Sequence, residues 1–204
     1  YKGIFHAISA FCNAGFDLMG QHQKYGSLVM YVDDSIVNIV VMFLIIIGGL
    51  GFAVWDDLFR TRNFRKLHLH TKLVLSVTGI LLLFGFVSFL VLEVNNPDTI
   101  GNLGTKGKLL ASFFQSVTPR TAGFNTMNIS GMQNASIFIT MLLMFIGGSP
   151  GSTAGGIKTT TAGVLISTVI AVIKGKEDTE MFRRRISHSA VTRAFTITFI
   201  STLL

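Results

Sequence analysis

Charge is scarce in this sequence. Of 204 residues, 13% are Asp, Glu, Lys or Arg, where a soluble domain carries about a quarter. That shortage, with half the residues hydrophobic, argues against an ordinary soluble fold. A single cysteine, Cys12, excludes an intrachain disulfide. There is no paired-carboxylate or Ser/His/Asp constellation, so no enzyme is expected. His68 and His70 form a His-x-His pair without further ligands, which reads as a solvated face, not a metal site. The chain opens without a signal peptide. Both ends, YKGIFHAISAF and AFTITFISTLL, look cut, and the chain is expected to be a piece of a longer membrane protein.

Long apolar runs are what the sequence does have. Ile36–Trp55 and Leu73–Leu92 each hold 20 residues without a charge, about the length that crosses ~30 Å of hydrocarbon as a helix. An all-α, multi-pass integral membrane protein of the cell membrane is the expected class. The net charge of +7 comes largely from two clusters, Asp56–Lys72 and Lys174–Arg193, that flank apolar runs. Cytoplasmic loops carry such an excess, so the charge reads as a topology signal and not as nucleic-acid binding. Ile36–Trp55 then runs inward and Leu73–Leu92 outward. The Gly-rich stretch Asn95–Lys108 is an external connection. Leu109–Thr118 is too short to cross and reads as a re-entrant helix. Gln133–Ile173 is an inward leg twice as long as one span needs, and Ala194–Leu204 begins another outward span.

The chain also repeats itself. FHAISAFCNAGFD (5–17) and FFQSVTPRTAGFN (113–125) align without gaps, and an Ile-Gly-Gly follows each, at Ile47–Gly49 and Ile146–Gly148. Each copy reads as a re-entrant helix, an Ala-Gly-Phe loop and an inward span. Both copies run the same way. Extended backbone with inward carbonyls can replace the water shell of a dehydrated cation. The side chains of Ala14, Phe16, Ala122 and Phe124 would then point away and pack.

The loops NAGFD and TAGFN look like degenerate forms of the potassium-channel filter TVGYG, keeping its first glycine. With VTPRTAGFN (117–125) and GGSPGSTAGGIKTTT (147–161) they resemble the Trk/Ktr/HKT superfamily of potassium transporters, membrane subunit, nearest its bacterial KtrB branch. The resemblance spans essentially the whole chain. It implies four linked, non-identical pore units around one pathway. Residues 1–59 would be the end of the second unit (pore helix, filter loop and inner helix), 60–72 a cytoplasmic loop, 73–174 the third unit with a broken inner helix, and 175–204 a cytoplasmic loop and the start of the fourth. Gly15 and Gly123 match the family's filter glycines. Backbone carbonyls of Asn13, Ala14, Gly15 and Phe16, and of Thr121, Ala122, Gly123 and Phe124, would bind potassium ions. No organic cofactor is implied in this chain. The family further implies a homodimer on a cytoplasmic nucleotide-binding regulatory ring (KtrA type), with Arg60–Lys72 and Lys174–Arg185 as docking candidates.

IGGSPGSTAGGIKTTT (146–161) interrupts the long inward leg. Pro150 removes a backbone N–H. The neighbouring Gly147, Gly148, Gly151, Gly155 and Gly156 favour irregular backbone, and Ser149, Ser152, Thr153 and Thr159–Thr161 can satisfy stray backbone groups. With Ala154 and Lys158, this segment (about 147–159) resembles the family's intramembrane gating loop. A simple packing break is the bland alternative. The P-loop is ruled out, because Ile157 separates Gly156 from Lys158 and no strand precedes. A secondary transporter built on broken helices is the rival reading, but it calls for inverted repeats in many of its folds.

The remaining ionisable residues leave alternatives open. Arg120 precedes the second loop and would either brace carbonyls behind it or face the external vestibule. Lys158 would anchor free carbonyls of the break or snorkel to the cytoplasm. Asp33, Asp34, Glu93 and Asp98 read as solvated span ends, and Cys12 as a packed residue.

Overall fold

The computed structural model describes residues 1–21, 26–176, 178–182 and 184–203. It runs α1 (Lys2–Phe11), α2 (Ser35–Leu50), α3 (Phe52–Thr61), α4 (Leu69–Glu93), α5 (Thr105–Val117), α6 (Asn134–Phe145) and α7 (Thr159–Ile173). A small antiparallel hairpin follows, β1 (Glu180–Met181) and β2 (Arg184–Arg185), and then α8 (His188–Leu203). The architecture is almost entirely helical, as the sequence predicts.

Helix α2 starts where Asp34 caps it, with its Oδ1 accepting from the N–H groups of Ile36 and Val37 at 2.9 and 3.2 Å. These satisfy two of the donors that a helix start leaves free. Inside the first turn the buried Asn38 donates to the carbonyls of Tyr31, Val32 and Asp34, tying the incoming chain to the helix. The sequence reading takes Ile36–Trp55 as one span, and the structure corrects this. Helix α2 ends at Leu50, Gly51 takes φ 89°, and α3 leaves at an angle of 94°. Trp55 Nε1 donates back to the Ile47 carbonyl at 3.1 Å, satisfying a carbonyl the bend leaves free. A side chain at Gly51 is excluded both by that φ and by the Pro150 carbonyl, 2.6 Å from where a Cβ would stand.

Helix α4, with 25 residues, covers the predicted Leu73–Leu92 run and extends it at both ends. Among the described residues it is the one single helix long and apolar enough to cross a membrane. The long inward leg is two shorter apolar helices, α6 and α7, with residues 146–158 between them. The predicted break therefore stands, although Thr159 is already helical. Large apolar side chains such as Ile39 and Phe43 on α2 and Ile80, Leu83 and Val91 on α4 are exposed. Long charge-free stretches with bare apolar faces suit a lipid or protein environment rather than water.

Two apolar clusters hold the short helices in place. Ala10 of α1, Val41, Met42 and Ile45 of α2, and Phe114 and Val117 of α5 pack around Ala122 and Phe124. Phe89 of α4, Ala111 of α5 and Leu143 of α6 form the second cluster with Ile100, Met127 and Met132. Ser116 Oγ also donates to the Leu82 carbonyl at 2.6 Å, fixing α5 along α4. Both clusters converge on the segment that follows α5.

Candidate functional site

Helices α1 and α5 each end directly before an Ala-Gly-Phe loop. Their C-terminal carbonyls, which carry the partial negative charge of a helix end, therefore sit beside the loops. The backbone follows the same course in both: φ is 51° at Asn13 and 71° at Gly15, and 74° at Thr121 and 90° at Gly123. Left-handed φ is uncommon for residues other than glycine, so two such positions at matching places in two loops is a specific likeness. The loops also touch. A Cβ on Gly15 would collide with the Ala122 carbonyl oxygen and lie 3.1 Å from Gly123 Cα. Hydroxyls brace each loop from behind, Ser9 Oγ donating to the Phe16 carbonyl at 2.9 Å and Thr118 Oγ1 to the Phe124 carbonyl.

The side chains depart from the sequence expectation in the first loop. Ala122 and Phe124 are buried as expected, but Ala14 is exposed and Phe16 is 70% exposed. Cys12, expected to pack, is exposed too. The packed core lies on the α2–α5 side, and among the described residues it takes in the second loop and not the first. His6, which sequence reasoning passed over, supports the first loop instead. It is buried, accepts the Leu18 N–H at Nε2 (3.2 Å), and pairs through Nδ1 with the Lys2 carbonyl at 2.7 Å.

The break at 146–158 is an ordered loop. A parallel bridge joins Ile146 to Ile157 across its base, with the Gly147 N–H donating to the Ile157 carbonyl and the Ile157 N–H to the Phe145 carbonyl, at 3.0 and 3.2 Å. Inside, Ser149 and Thr159 pair through their hydroxyls at 3.0 Å, and Ser152 Oγ donates to the Ser149 carbonyl at 2.6 Å. The loop docks on the bend of α2. The N–H groups of Ser149 and Thr153 donate to the carbonyls of Gly49 and Gly48, and the Phe52 N–H donates to the Gly151 carbonyl. The two Ile-Gly-Gly segments, noticed only as a repeat in the sequence, thus meet in space.

Lys158 Nζ donates to the Ala154 carbonyl at 2.7 Å, which favours the anchoring alternative. Arg120 takes neither role proposed for it. It is 7% exposed and so does not face a vestibule, and its guanidinium donates to Thr78 Oγ1 of α4 at 3.4 Å rather than to loop carbonyls. It lies in a small, mostly apolar gap with Ile45, Gly49, Val117 and Gly148, between the second loop and the 146–158 segment.

Glu93 is a second correction among the charged residues. It is fully buried, not solvated. Its carboxylate accepts from Asn96 Nδ2 (2.6 Å), Thr99 Oγ1 (2.7 Å) and the Gln133 N–H (3.0 Å), tying the top of α4 to the turn before α5 and to the start of α6. Asp33, Asp34 and Asp98 are exposed, as expected.

At the opposite end, Asp57 accepts from the His68 N–H at 2.9 Å, pairs with His68 Nδ1 at 2.8 Å, and accepts from Thr61. Hydrogen bonding from Thr71, and then from His68 and Thr61, holds its carboxyl well below the usual range against the opposing cost of burial. The basic clusters are partly neutralised locally. Arg60 pairs with Asp56, Lys176 with Glu180 and Arg185 with Asp178. Arg183 and Leu204 lie outside the described residues.

Residues 1–202 match the family model described as TrkH, cation transport protein. The chain belongs to this cation transport protein family. It is a family of transport proteins, not of enzymes. Similar members include the Ktr system potassium uptake protein B of Bacillus subtilis, 45% identical over 98% of this chain and 44% of that protein. Potassium/sodium uptake protein NtpJ of Enterococcus hirae is 46% identical over 97% of this chain and 43% of that protein. The chain therefore spans less than half the length of these relatives. The crystal structure of the potassium transporter TrkH from Vibrio parahaemolyticus superposes with a TM-score of 0.76 at 18% identity, covering 99% of this chain and 43% of that one. That likeness carries the fold of the family's membrane transporters to this chain.

Proposed function

We propose that this chain is part of the pore of a plasma-membrane potassium uptake protein, with two of its filter loops at 13–16 and 121–124. The observation that carries the reading is the pair of adjoining loops with left-handed φ at the same two places. A left-handed residue flips the next peptide plane, so carbonyls that would alternate in a strand face one side. Oxygens so aligned can replace the hydration shell of a potassium ion, which here is cargo. Helices α1 and α5 act as pore helices whose C-termini favour the cation. Residues 1–59 and 73–174 are then parts of successive units, and the carbonyls of two further loops complete the ring.

In the same reading, residues 147–158 form the gate. They hang between α6 and α7, tied to α2 by backbone hydrogen bonds and to their own base by a bridge, and Thr153, Gly155 and Gly156 are exposed, as Ala14 and Gly123 are. Loops of the filter and the gate then border one pathway, with Lys158 holding the gate's own carbonyls. A homodimer and a cytoplasmic nucleotide-binding ring are proposed for the whole protein, the ring docking near the basic clusters. Charge reversal of Arg183, Arg184 and Arg185 is expected to weaken co-purification of the ring, and unchanged co-purification counts against that surface. The rival secondary transporter is less favoured, because the two loops are related by a repeat that runs in one direction.

The test is growth of a potassium-uptake-deficient cell on low potassium, rescued by the full-length protein. Gly15→Ser and Gly123→Ser should abolish or relax selective uptake. Unchanged potassium-over-sodium selectivity in both variants would sink the filter assignment.

A further inference from the structure

One side chain of the 146–158 loop reaches the first Ala-Gly-Phe loop. Asn13 Nδ2 donates to Thr153 Oγ1 at 2.8 Å, and Thr153 Oγ1 donates in turn to the carbonyl of Phe11, the last residue of α1, at 3.0 Å. The Thr153 N–H donates to the Gly48 carbonyl at 3.2 Å. A single residue therefore joins the first loop, the end of its helix and the bend of α2. The geometry leaves little slack, since a Cβ on Gly48 would collide with the Phe11 carbonyl and meet Thr153 Oγ1 at 3.0 Å. Among the described residues no such link serves the second loop. Thr121, at the place of Asn13, has a buried hydroxyl without a partner.

We infer that Asn13 and Thr153 form a latch that holds the gating loop shut and couples its position to the shape of the first filter loop. The inference rests on the proposed reading of 147–158 as a gate. A hydroxyl is suited to the role because it accepts and donates at once. Asn13 is suited because asparagine tolerates the left-handed φ of 51° that aims its amide at the loop. When the loop leaves, the Phe11 carbonyl and the Asn13 amide lose their partner together, so opening at the gate is felt at the first residue of the filter loop. Both are positioning residues, Asn13 through its side chain as distinct from its carbonyl.

The experiment measures potassium flux through the full-length protein in liposomes without any cytoplasmic partner. Thr153→Val removes the hydroxyl at nearly constant shape, and Asn13→Gly removes the amide while keeping the left-handed backbone accessible. Each should raise basal flux about two- to tenfold, the effect of one hydrogen bond. Thr153→Ser should restore the low flux, and the double variant should match the larger of the two single effects. Multiplying effects would show that the residues act separately and overturn the latch. So would unchanged flux in Thr153→Val alongside raised flux on deleting Ser149–Gly155, which leaves the gate standing. Unchanged flux on that deletion as well removes the gate and the latch together. Monodisperse elution and Ser rescue separate these outcomes from misfolding.

Discussion

The two Ala-Gly-Phe loops have the same backbone and opposite surroundings. Both turn left-handed at the first residue and at glycine, yet Phe124 is 1% exposed and Phe16 is 70% exposed. The second loop leans on a core built by α2 and α5. The first leans on His6, on the Ser9 hydroxyl and, through Asn13, on the 146–158 loop. A shared short motif fixes the course of the chain. Which neighbour supports it is decided by helices far away in sequence. Both loops have a hydroxyl brace, but only the second adds a packed core, and only the first takes a side-chain hydrogen bond to the 146–158 loop among the described residues.

The sharpest way to break the likeness is at the glycines. Gly15→Ala places a Cβ into the Ala122 carbonyl at a strained φ, whereas the nearest atom to a Cβ on Gly123 is 3.7 Å away. Growth rescue on low potassium should be lost with Gly15→Ala and only weakened with Gly123→Ala, although both carry the strain of positive φ. Next, Phe124→Ala should cost about 3–5 kcal/mol by thermal unfolding of the full-length protein, against about 0.5 kcal/mol for Phe16→Ala. Equal losses would mean that the first loop has a packed neighbour too.

A smaller contrast separates the outer supports. Glu93→Gln removes a buried carboxylate that accepts three hydrogen bonds and should cost about 1–3 kcal/mol, seen as faster hydrogen exchange around residues 96–103 and 133–136 but not around the first loop. The smallest effect concerns Asp57. Its carboxyl is depressed in the folded protein, so its stabilisation is present above the unfolded carboxyl range, near about pH 4, and is lost as pH falls below it. The difference in melting temperature between the parent and Asp57→Asn should therefore shrink as pH falls below about 4.

Much of this was legible. Charge-free runs and basic clusters gave the helical membrane class, and the offset repeat placed both loops. The Gly/Pro-rich run located the break to within a residue. What was not legible depended on partners distant in sequence. Apolar periodicity cannot see that Gly51 bends the first run, because the bend is held by Pro150 and Gly151 one hundred residues later. Glu93 looked like a solvated end because its partners come from the turn after it and from Gln133, 40 residues later. Arg120 looked like a loop brace because sequence proximity to the loop suggested it, while the threonine it meets is on another helix. Asn38 and His6 gave a signal that was available and unused, namely a lone polar residue amid apolar neighbours, which must find hydrogen bonds if buried.

The bridge between Ile146 and Ile157 has a mechanical consequence. By pinning both feet of the loop together, it makes residues 147–156 a flap on a fixed base. Under the gating role proposed for this segment, such a flap swings without unwinding α6 or α7, so the far-ultraviolet circular dichroism of open and closed protein should be the same. The work of opening then depends on a few contacts at the flap's outer edge and not on the length of helix around it.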